Sequence, residues 1–303
     1  MKHGLMSQAG IGISANTFLL LVRISTLLLG HRPKLIDLIT CHLALVHVVM
    51  LLTVVFLVSP DLFESLNFQN DFKCKVFFFM SRVMRDLSIC TTCLLSMFQA
   101  ITISPSTSWL ARFKHKFTND IIHIFFFLWF LSLSCSSNLI FYTVASSNVT
   151  QTNLLNVSKY CSLFPMVSII QGVFLTLTLF RDVSVVGIMM LSSAYVVILL
   201  FRHQRRSLHL HSTSLSPRSS PVKRASQTIL LLVSFFVVMY WVDFIISSSS
   251  ILLWTYDAVV VGIQRFVGNV FATVSPLVII RSDKRIIETL QNMWQKCHHF
   301  STS

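Results

Sequence analysis

The sequence predicts an all-α membrane protein: a seven-transmembrane helix bundle with its N-terminus outside and its C-terminus in the cytoplasm. Three observations predict it: an apolar composition, seven long apolar runs, and the distribution of Lys and Arg between those runs. The chain has 303 residues, 54% of them hydrophobic and 12% charged, with a mean hydropathy of +0.72. Soluble domains carry roughly 25% charged residues, so half that share indicates a chain that lies largely in lipid.

Seven apolar runs are long enough to cross a bilayer, whose hydrocarbon core of about 30 Å needs about 20 helical residues. They cover roughly 11–30, 36–58, 76–104, 121–144, 183–201, 228–254 and 259–280. Only helices and closed barrels satisfy the backbone in lipid, and these runs are too continuously apolar to be barrel strands. We therefore expect one bundle over residues 1–280 and a cytoplasmic tail over 281–303.

Basic residues are concentrated in the segments that face the cytoplasm if the N-terminus is outside. The loops 31–35, 105–120 and 202–227, together with the tail, hold fifteen of the 24 Lys and Arg residues. The positive-inside rule therefore orients the chain with its N-terminus outside. The outer segments hold five basic residues, namely Lys2, Lys73, Lys75, Lys159 and Arg181.

The loop after the fourth run carries features of an extracellular segment. It contains two glycosylation sequons, at Asn148 and Asn156, and Asn156 lies further from the membrane. It also contains Cys161, while Cys74 lies at the outer mouth of the third run. Disulfides persist in oxidising compartments, so these two cysteines are the ones placed to pair. The alternative is two free thiols. The other five cysteines fall in spans or on the cytoplasmic side: Cys41, Cys90, Cys93, Cys135 and Cys297.

Seven helices, an outside N-terminus and a bridge from the third span to the second outer loop resemble G-protein-coupled receptors. The motifs of the rhodopsin-like receptors are nevertheless missing. The last span reads Ser275-Pro276-Leu-Val-Ile279 where that family has Asn-Pro-x-x-Tyr. The third span lacks Asp-Arg-Tyr, the second lacks a mid-membrane Asp, and the sixth lacks Cys-Trp-x-Pro. The sequence therefore indicates a receptor outside the main family's motif set.

Four segments resemble the vomeronasal type-1 receptors. They are HRPKLIDLITCHLALVH (31–47), LLSMFQAITISPSTSWLARFKHK (94–116), SPRSSPVKRASQTILLLVSFFVVMYWVDF (216–244) and FATVSPLVIIRSDKRI (271–286). The resemblance implies a plasma-membrane receptor that binds small pheromone-like organic molecules and activates an inhibitory-class heterotrimeric G protein. The first span departs mildly from the common receptor pattern, with Ala15-Asn16 where many receptors have Gly-Asn.

A few ionisable and aromatic residues lie at mid-membrane depth and mark a candidate ligand cavity. Charged groups at such depth rarely face lipid and generally line a functional cavity or pair with one another. The purely structural alternative is an Arg82–Asp86 pair and an Asp243–Arg265 bridge. The candidate ligand-binding residues are Arg82, Arg85, Asp86, Tyr240, Asp243 and Arg265. Trp241 is expected beside Tyr240, either in ordinary bundle packing or in an aromatic wall that moves with ligand.

The candidate cavity residues also suggest the chemistry of the ligand. Three Arg against two Asp make the cavity net positive, which favours a ligand with an anionic group. The Phe-rich surroundings favour an apolar skeleton. We therefore expect a small, amphipathic, anionic organic ligand, such as a conjugated steroid, with Arg265 or Arg85 as its counter-ion.

The cytoplasmic side is expected to contact the G protein and the bilayer surface. The basic residues Arg112, Lys114 and Lys116 of the second inner loop are the candidate G-protein contacts. After the last span, Ile286, Ile287, Leu290, Met293 and Trp294 recur at helical spacing, which predicts an interfacial helix that Cys297 could anchor by acylation.

Other classes of function find little support in the sequence. Basic residues fall in short clusters rather than on one face, so no nucleic-acid partner is expected. No enzyme motif appears, and His209 and His211 have no further ligands nearby, so we expect neither catalysis, nor a cofactor, nor a metal. The remaining alternatives are a bitter-taste-type receptor, which the cysteine pair and inner loops argue against, and a transporter or channel, for which no inverted repeats are found.

Overall fold

The structure is a computed structural model of helices that pack side by side with one small sheet. It describes residues 2–28, 35–58, 71–105, 117, 119–137, 140, 143–145, 155–156, 161–163, 168–210, 234–242, 245, 258–282 and 286–287. The helices are α1 (Lys2–Leu28), α2 (Leu35–Val58), α3 (Asp71–Ile103), α4 (Ile121–Ser136), α5 (Ser168–Leu210), α6 (234–242) and α7 (Ala258–Ser282).

Five helices within these ranges are long and apolar enough to span a membrane. They contain Lys2–Thr26, Leu35–Val58, Lys75–Ile103, Gly172–Leu199 and Gly262–Arg281. The fourth helix is apolar but has only 16 residues, and most of the predicted sixth span lies outside the described residues. The large apolar side chains that α4 and α5 leave exposed, among them Phe126, Phe130 and Phe180, suit a surface that faces lipid.

The bundle is built around α3, which contacts α2, α4 and α5. On the other side, α1 packs against both α2 and α7. The core between these helices is made of buried aliphatic and aromatic side chains, including Leu19, Met189 and Phe271. Ile286, which the sequence assigned to an interfacial helix, is 1% exposed and belongs to this core. The remaining positions of that predicted helix, with Cys297, lie outside the described residues apart from the exposed Ile287.

The fourth and fifth helices differ clearly from the predicted spans. The fourth predicted span runs to 144, but α4 ends at Ser136 and residues Thr143–Ala145 form a strand. Serines can hydrogen-bond nearby backbone groups and so favour helix ends, as Ser137 does with the carbonyl of Ser134 at 2.8 Å. The fifth predicted span begins at 183, whereas α5 begins fifteen residues earlier at Ser168.

A three-stranded antiparallel sheet lies in the loop between α4 and α5. Its strands are β1 (Thr143–Ala145), β2 (Leu155–Asn156) and β3 (Cys161–Leu163), in the order β1-β3-β2. Cys161 is opposite Ala145, and Asn156 is opposite Ser162. Strand β1 also contacts α3, so the sheet lies against the helix that carries Cys74.

A proline inside α7 leaves one backbone carbonyl without its helical hydrogen-bond donor, and a side chain of α1 supplies a donor instead. Pro276 has no N–H, so the carbonyl four residues earlier, that of Ala272, loses its helical donor. The side-chain amide of Asn16 donates to this carbonyl at 2.8 Å and also to the carbonyl of Gly12 at 2.8 Å. Asn16 is 1% exposed, so this bond satisfies a carbonyl that has no access to solvent.

Gly12 allows this close approach of α1 to α7, and its replacement should be costly. A Cβ there would lie 2.6 Å from Leu51 Cδ1 and 2.9 Å from Thr273 Oγ1. We expect Gly12→Ala to lower the stability by about 1–3 kcal/mol, because overpacking forces these neighbours to shift. Thermal unfolding of the purified protein measures it, with Gly10→Ala as the matched control, since a Cβ on Gly10 meets nothing within 4 Å. Equal melting midpoints for the two variants would contradict the expectation.

Candidate ligand-binding site

A buried ion-pair network joins α3, α4 and α5. Asp86 accepts two hydrogen bonds from the guanidinium of Arg181, at 2.6 Å from Nη1 and 2.9 Å from Nη2. The hydroxyl of Ser136 donates to the same carboxylate at 3.2 Å. Arg181 also donates to Asp182 Oδ1, from Nε at 2.9 Å and from Nη2 at 2.7 Å. Asp86, Arg181 and Asp182 are all buried, so each charge depends on the others for stabilisation.

The assignment of Arg181 to an outer loop was therefore wrong. Arg181 lies inside α5 and is 8% exposed, because its charge is neutralised within the bundle by Asp86 and Asp182. The Arg82–Asp86 pair that the sequence suggested is present but is secondary. The Nε of Arg82 lies 3.6 Å from Asp86 Oδ1, and the Arg82 side chain is 38% exposed.

A cavity opens beside this network, between α2, α3, α6 and α7. It contains about 390 Å³ of empty space, including the part open to its surroundings. Two of the predicted ligand-binding residues line it, Arg85 from α3 and Tyr240 from α6. The other lining residues are mostly apolar: Met50, Ser88, Ile89, Phe236, Met239, Val267, Gly268, Phe271 and Ala272. The wall of the cavity is apolar with few polar groups, which is the composition usual for small-molecule sites.

Tyr240 and its neighbour Trp241 have different environments. Tyr240 is half-buried and lines the cavity, and it interacts electrostatically with Asp182 of the ion-pair network. Trp241 is 46% exposed, because adjacent residues of a helix point in directions about 100° apart. A single aromatic wall made of both residues is therefore not found.

Arg265 lies on α7 one turn before the cavity-lining residue Gly268, and is half-buried. Residues three apart on a helix share a face, so Arg265 lies on the side of α7 that faces the cavity rim. Its backbone carbonyl accepts a hydrogen bond from Asn269 at 2.6 Å. Asp243, its predicted partner, lies outside the described residues.

The remaining predicted site residues fall partly or wholly outside the described residues. The backbone of Cys74 lies in α3, that of Cys161 in β3 and that of Asn156 in β2. Asn148 and the three inner-loop residues lie outside the described ranges: Arg112, Lys114 and Lys116. Within the described ranges, Cys41, Cys90, Cys93 and Cys135 are free thiols, and no group of three metal-ligating side chains occurs.

Comparison with known proteins places this bundle in a family. The model of the vomeronasal organ pheromone receptor family matches residues 1–292. Vomeronasal type-1 receptor 90 of Rattus norvegicus is 45% identical over 287 residues, which are 95% of this chain and 92% of the relative. The chain belongs to the vomeronasal type-1 receptor family. Vomeronasal type-1 receptor 94 of Rattus norvegicus is 40% identical over 98% of this chain and 90% of its own length. Vomeronasal type-1 receptor 51 of Mus musculus is 40% identical over 97% and 91%.

Membership of the vomeronasal type-1 receptor family confirms the resemblance found in the sequence. It makes the chain a multi-pass membrane protein of the G-protein-coupled receptor class, and the family is one of signalling receptors, not of enzymes. It decides against the bitter-taste-type receptor and against the transporter or channel. The apolar helices of the structure agree with a protein that resides in the bilayer.

Arg181 and Asp182 are the charged residues of the ion-pair network that the sequence analysis did not place in the bundle. Both charges interrupt an apolar stretch that continues on either side, from Ile169 to Phe180 and again from Val183. The predicted fifth span therefore began only after these charges, at 183, whereas the helix in the structure runs through them from Ser168. Two adjacent, opposite charges inside a continuous apolar stretch were the signal that could have revealed a buried pair.

Proposed function

We propose that this receptor binds a small amphipathic organic ligand with an anionic group in the cavity between α2, α3, α6 and α7. In this proposal, the receptor lies in the plasma membrane and activates an inhibitory-class heterotrimeric G protein. The observation that carries the proposal is the composition of the cavity wall. One guanidinium, that of Arg85, and one phenol, that of Tyr240, stand among apolar and aromatic side chains.

The charges around the cavity favour an anion over a cation. The acid nearest to Arg85 along α3, Asp86, is already engaged by Arg181 and Ser136. A cationic ligand would have to displace these partners, which costs the buried Arg181 its pairing. Among the described residues of this region, four Arg stand against two Asp, and the Arg are Arg82, Arg85, Arg181 and Arg265.

Arg85 can serve a protein partner and a ligand at the same time. Its guanidinium carries five N–H donors in a planar fork, a geometry that matches a sulfate or a carboxylate. The proposal therefore does not require Arg85 to be unpaired in the resting receptor. Phe236, Met239 and Phe271 would contact the apolar skeleton of the ligand.

A comparison of conjugated and unconjugated ligands tests this chemistry. Cells that express the receptor are screened by calcium imaging with steroids and their sulfates. We expect the sulfated form of an activating pair to be the more potent, and Arg85→Ala to weaken it roughly ten- to a hundredfold, since a hydrogen bond to a charged group is worth about 1.5–3 kcal/mol.

Two further variants complete the design. Arg265→Ala tests the second candidate counter-ion, and Arg281→Ala is the control, because Arg281 is exposed at the far end of α7. Equal potency of the two forms on the unmodified receptor, unchanged in the Arg85 and Arg265 variants, would rule out the anionic ligand.

Activation is proposed to be a shift in population between a resting and an active arrangement. A ligand changes this equilibrium only if it binds the active arrangement more tightly. Arg112, Lys114 and Lys116 are proposed to contact the G protein from the second inner loop. Charge reversal at these three positions should reduce G-protein activation at unchanged surface expression, and unchanged activation would contradict their role.

The proposed topology places the N-terminus and the sheet outside the cell. A Cys74–Cys161 disulfide is proposed, and it is supported by the contact of β1 with α3 and the pairing of β1 with β3. Glycans are proposed at Asn156, and at Asn148 as the second site. Peptide mapping without reduction tests the disulfide, and the gel mobility before and after glycosidase treatment tests the glycans. Free thiols or unchanged mobility would each refute the respective assignment.

A further inference from the structure

A histidine with no exposed surface lies at the junction of α2, α3 and α7. His47 is 0% exposed, and both of its ring nitrogens have partners. Its Nε2 lies 2.8 Å from the hydroxyl of Ser88 on α3, and its Nδ1 lies 3.3 Å from the hydroxyl of Ser275 on α7. In a neutral ring one nitrogen donates and the other accepts, and each serine hydroxyl can do either. The three side chains therefore form one continuous hydrogen-bonded chain across three helices.

One end of this chain reaches the ligand cavity. Ser88 lines the cavity, so a molecule in the cavity can contact the residue that holds Nε2 of His47. Phe271, another lining residue, packs edge-on against the His47 ring, with the ring centroids 5.6 Å apart. Phe271 in turn contacts Phe236 of α6, with the ring centroids 4.4 Å apart. His47 thus contacts the cavity wall through both a polar and an aromatic neighbour without lining the cavity itself.

The other end of this hydrogen-bonded chain reaches the proline segment of α7. Ser275 immediately precedes Pro276, where α7 lacks one backbone hydrogen bond. A helix deforms most easily where such a bond is missing. The bond from Ser275 to His47 therefore holds this segment against α2 and α3, while the amide of Asn16 holds it against α1 through Ala272.

We propose that His47 is a positioning residue that couples the floor of the ligand cavity to the proline segment of α7. A ligand that hydrogen-bonds to the hydroxyl of Ser88 changes the bond between Ser88 and His47. The bond between His47 and Ser275, which restrains α7, changes with it. The inference rests on the proposed function for the role of the cavity. The mechanical coupling itself is present without ligand, and it can be measured without one.

Hydrogen exchange of the backbone amides of α7 measures this coupling. The full receptor is purified in lipid nanodiscs, and mass spectrometry follows peptides that cover residues 268–281. We expect Ser88→Ala and His47→Phe each to accelerate exchange there roughly three- to tenfold, the change in local opening that the loss of one buried hydrogen bond produces. Within the described part of the chain, the hydroxyl of Ser88 bonds to His47 and not to α7, so the loss of its hydrogen bond reaches α7 through His47.

The same helix offers a matched control. His42 also has partners on both ring nitrogens, Thr91 at 3.1 Å and the indole of Trp129 at 3.0 Å, but these lie on α3 and α4. It stacks on Phe125, as a phenyl ring would. His42→Phe should therefore leave exchange in 268–281 unchanged, although it removes a comparable pair of bonds.

The outcomes separate coupling from general loosening. Acceleration in 268–281 for Ser88→Ala and His47→Phe, but not for His42→Phe, supports the proposal. Unchanged exchange in Ser88→Ala, or equal acceleration in His42→Phe, would overturn it. If His47→Phe fails to fold, the comparison of Ser88→Ala with His42→Phe still decides. A receptor that shows this coupling but never activates a G protein would refute the proposed function and leave the role of His47 intact.

Discussion

Arg181→Ala is expected to remove most of the folded receptor from the cell surface. The substitution deletes the bidentate partner of Asp86, whose side chain is 2% exposed. Removing one partner of a buried ion pair costs roughly 3–5 kcal/mol, because the remaining charge stays buried without compensation. Surface labelling of tagged receptor in intact cells, together with the melting midpoint in nanodiscs, measures the loss.

Two comparisons make this prediction specific to the ion pair. Arg202→Ala removes an exposed arginine from the same helix and should change neither surface level nor melting midpoint. The double variant Asp86→Ala with Arg181→Ala should recover part of the loss, because it removes one of the two carboxylates that Arg181 pairs with, the other being Asp182. A surface level for Arg181→Ala equal to that of Arg202→Ala would show that the network does not hold α3 to α5.

Asp37→Leu is expected to destabilise the receptor by a similar amount at the other end of the bundle. Arg23 Nη1 lies 2.9 Å from Asp37 Oδ1, with the two side chains 5% and 2% exposed. Loss of this carboxylate deprives a buried guanidinium of a charged partner, so we expect a cost of about 3–5 kcal/mol. The melting midpoint in nanodiscs is the measurement.

The double variant again identifies the cause. Replacing both Arg23 and Asp37 with leucine should be less harmful than either single change, because well-packed apolar residues can replace a buried ion pair at little cost. Arg281→Leu, at an exposed position of α7, serves as the control. If the double variant is as unstable as the sum of the single variants, the pairing of the two charges is not what stabilises α1 against α2.

Hydropathy located the apolar helices well where apolar residues continue to both ends. Helix α2 spans Leu35–Val58 against a predicted 36–58, and α7 spans Ala258–Ser282 against 259–280. It was less accurate where polar residues are buried by tertiary contacts. Helix α1 begins at Lys2 instead of 11, and its early residue Gln8 donates to the carbonyl of Phe266 at 3.1 Å. A hydropathy window counts such a residue as polar, since it cannot include a partner 258 positions away.

In the candidate site, too, some residues could be predicted from the sequence, whereas their tertiary partners could not. Depth in the membrane was sufficient to select Arg85, because a charge in mid-span generally lines a cavity or pairs with another charge, and Arg85 lines the cavity. The partner of Asp86, in contrast, could not be predicted from the sequence. Asp86 has Arg82 one turn away on its own helix, yet its closest partner is Arg181, 95 residues later.

The hydrogen-bonded chain through His47 was equally hidden in the sequence. Ser275 drew attention only as a departure from the rhodopsin-like pattern, and His47 only as the last residue of a segment that resembles the family. The structure shows that the two side chains contact each other, although 228 positions separate them. Such a contact depends on how α2 and α7 pack, and no local pattern in either helix records it.

The bond between Asn16 and the carbonyl of Ala272 has a consequence for how the receptor is made. Asn16 lies in the first of these helices to leave the ribosome, and Ala272 lies 256 residues later. Until α7 is synthesised and inserted, the amide of Asn16 lacks this acceptor, and until α1 is docked, α7 has an open carbonyl at its proline. Helix α1 is therefore inserted into the membrane before its hydrogen-bond acceptor on α7 exists. A nascent chain that stalls before α7 leaves the amide of Asn16 with the carbonyl of Gly12 as its acceptor within α1, so the bond that closes the bundle forms only after α7 is made.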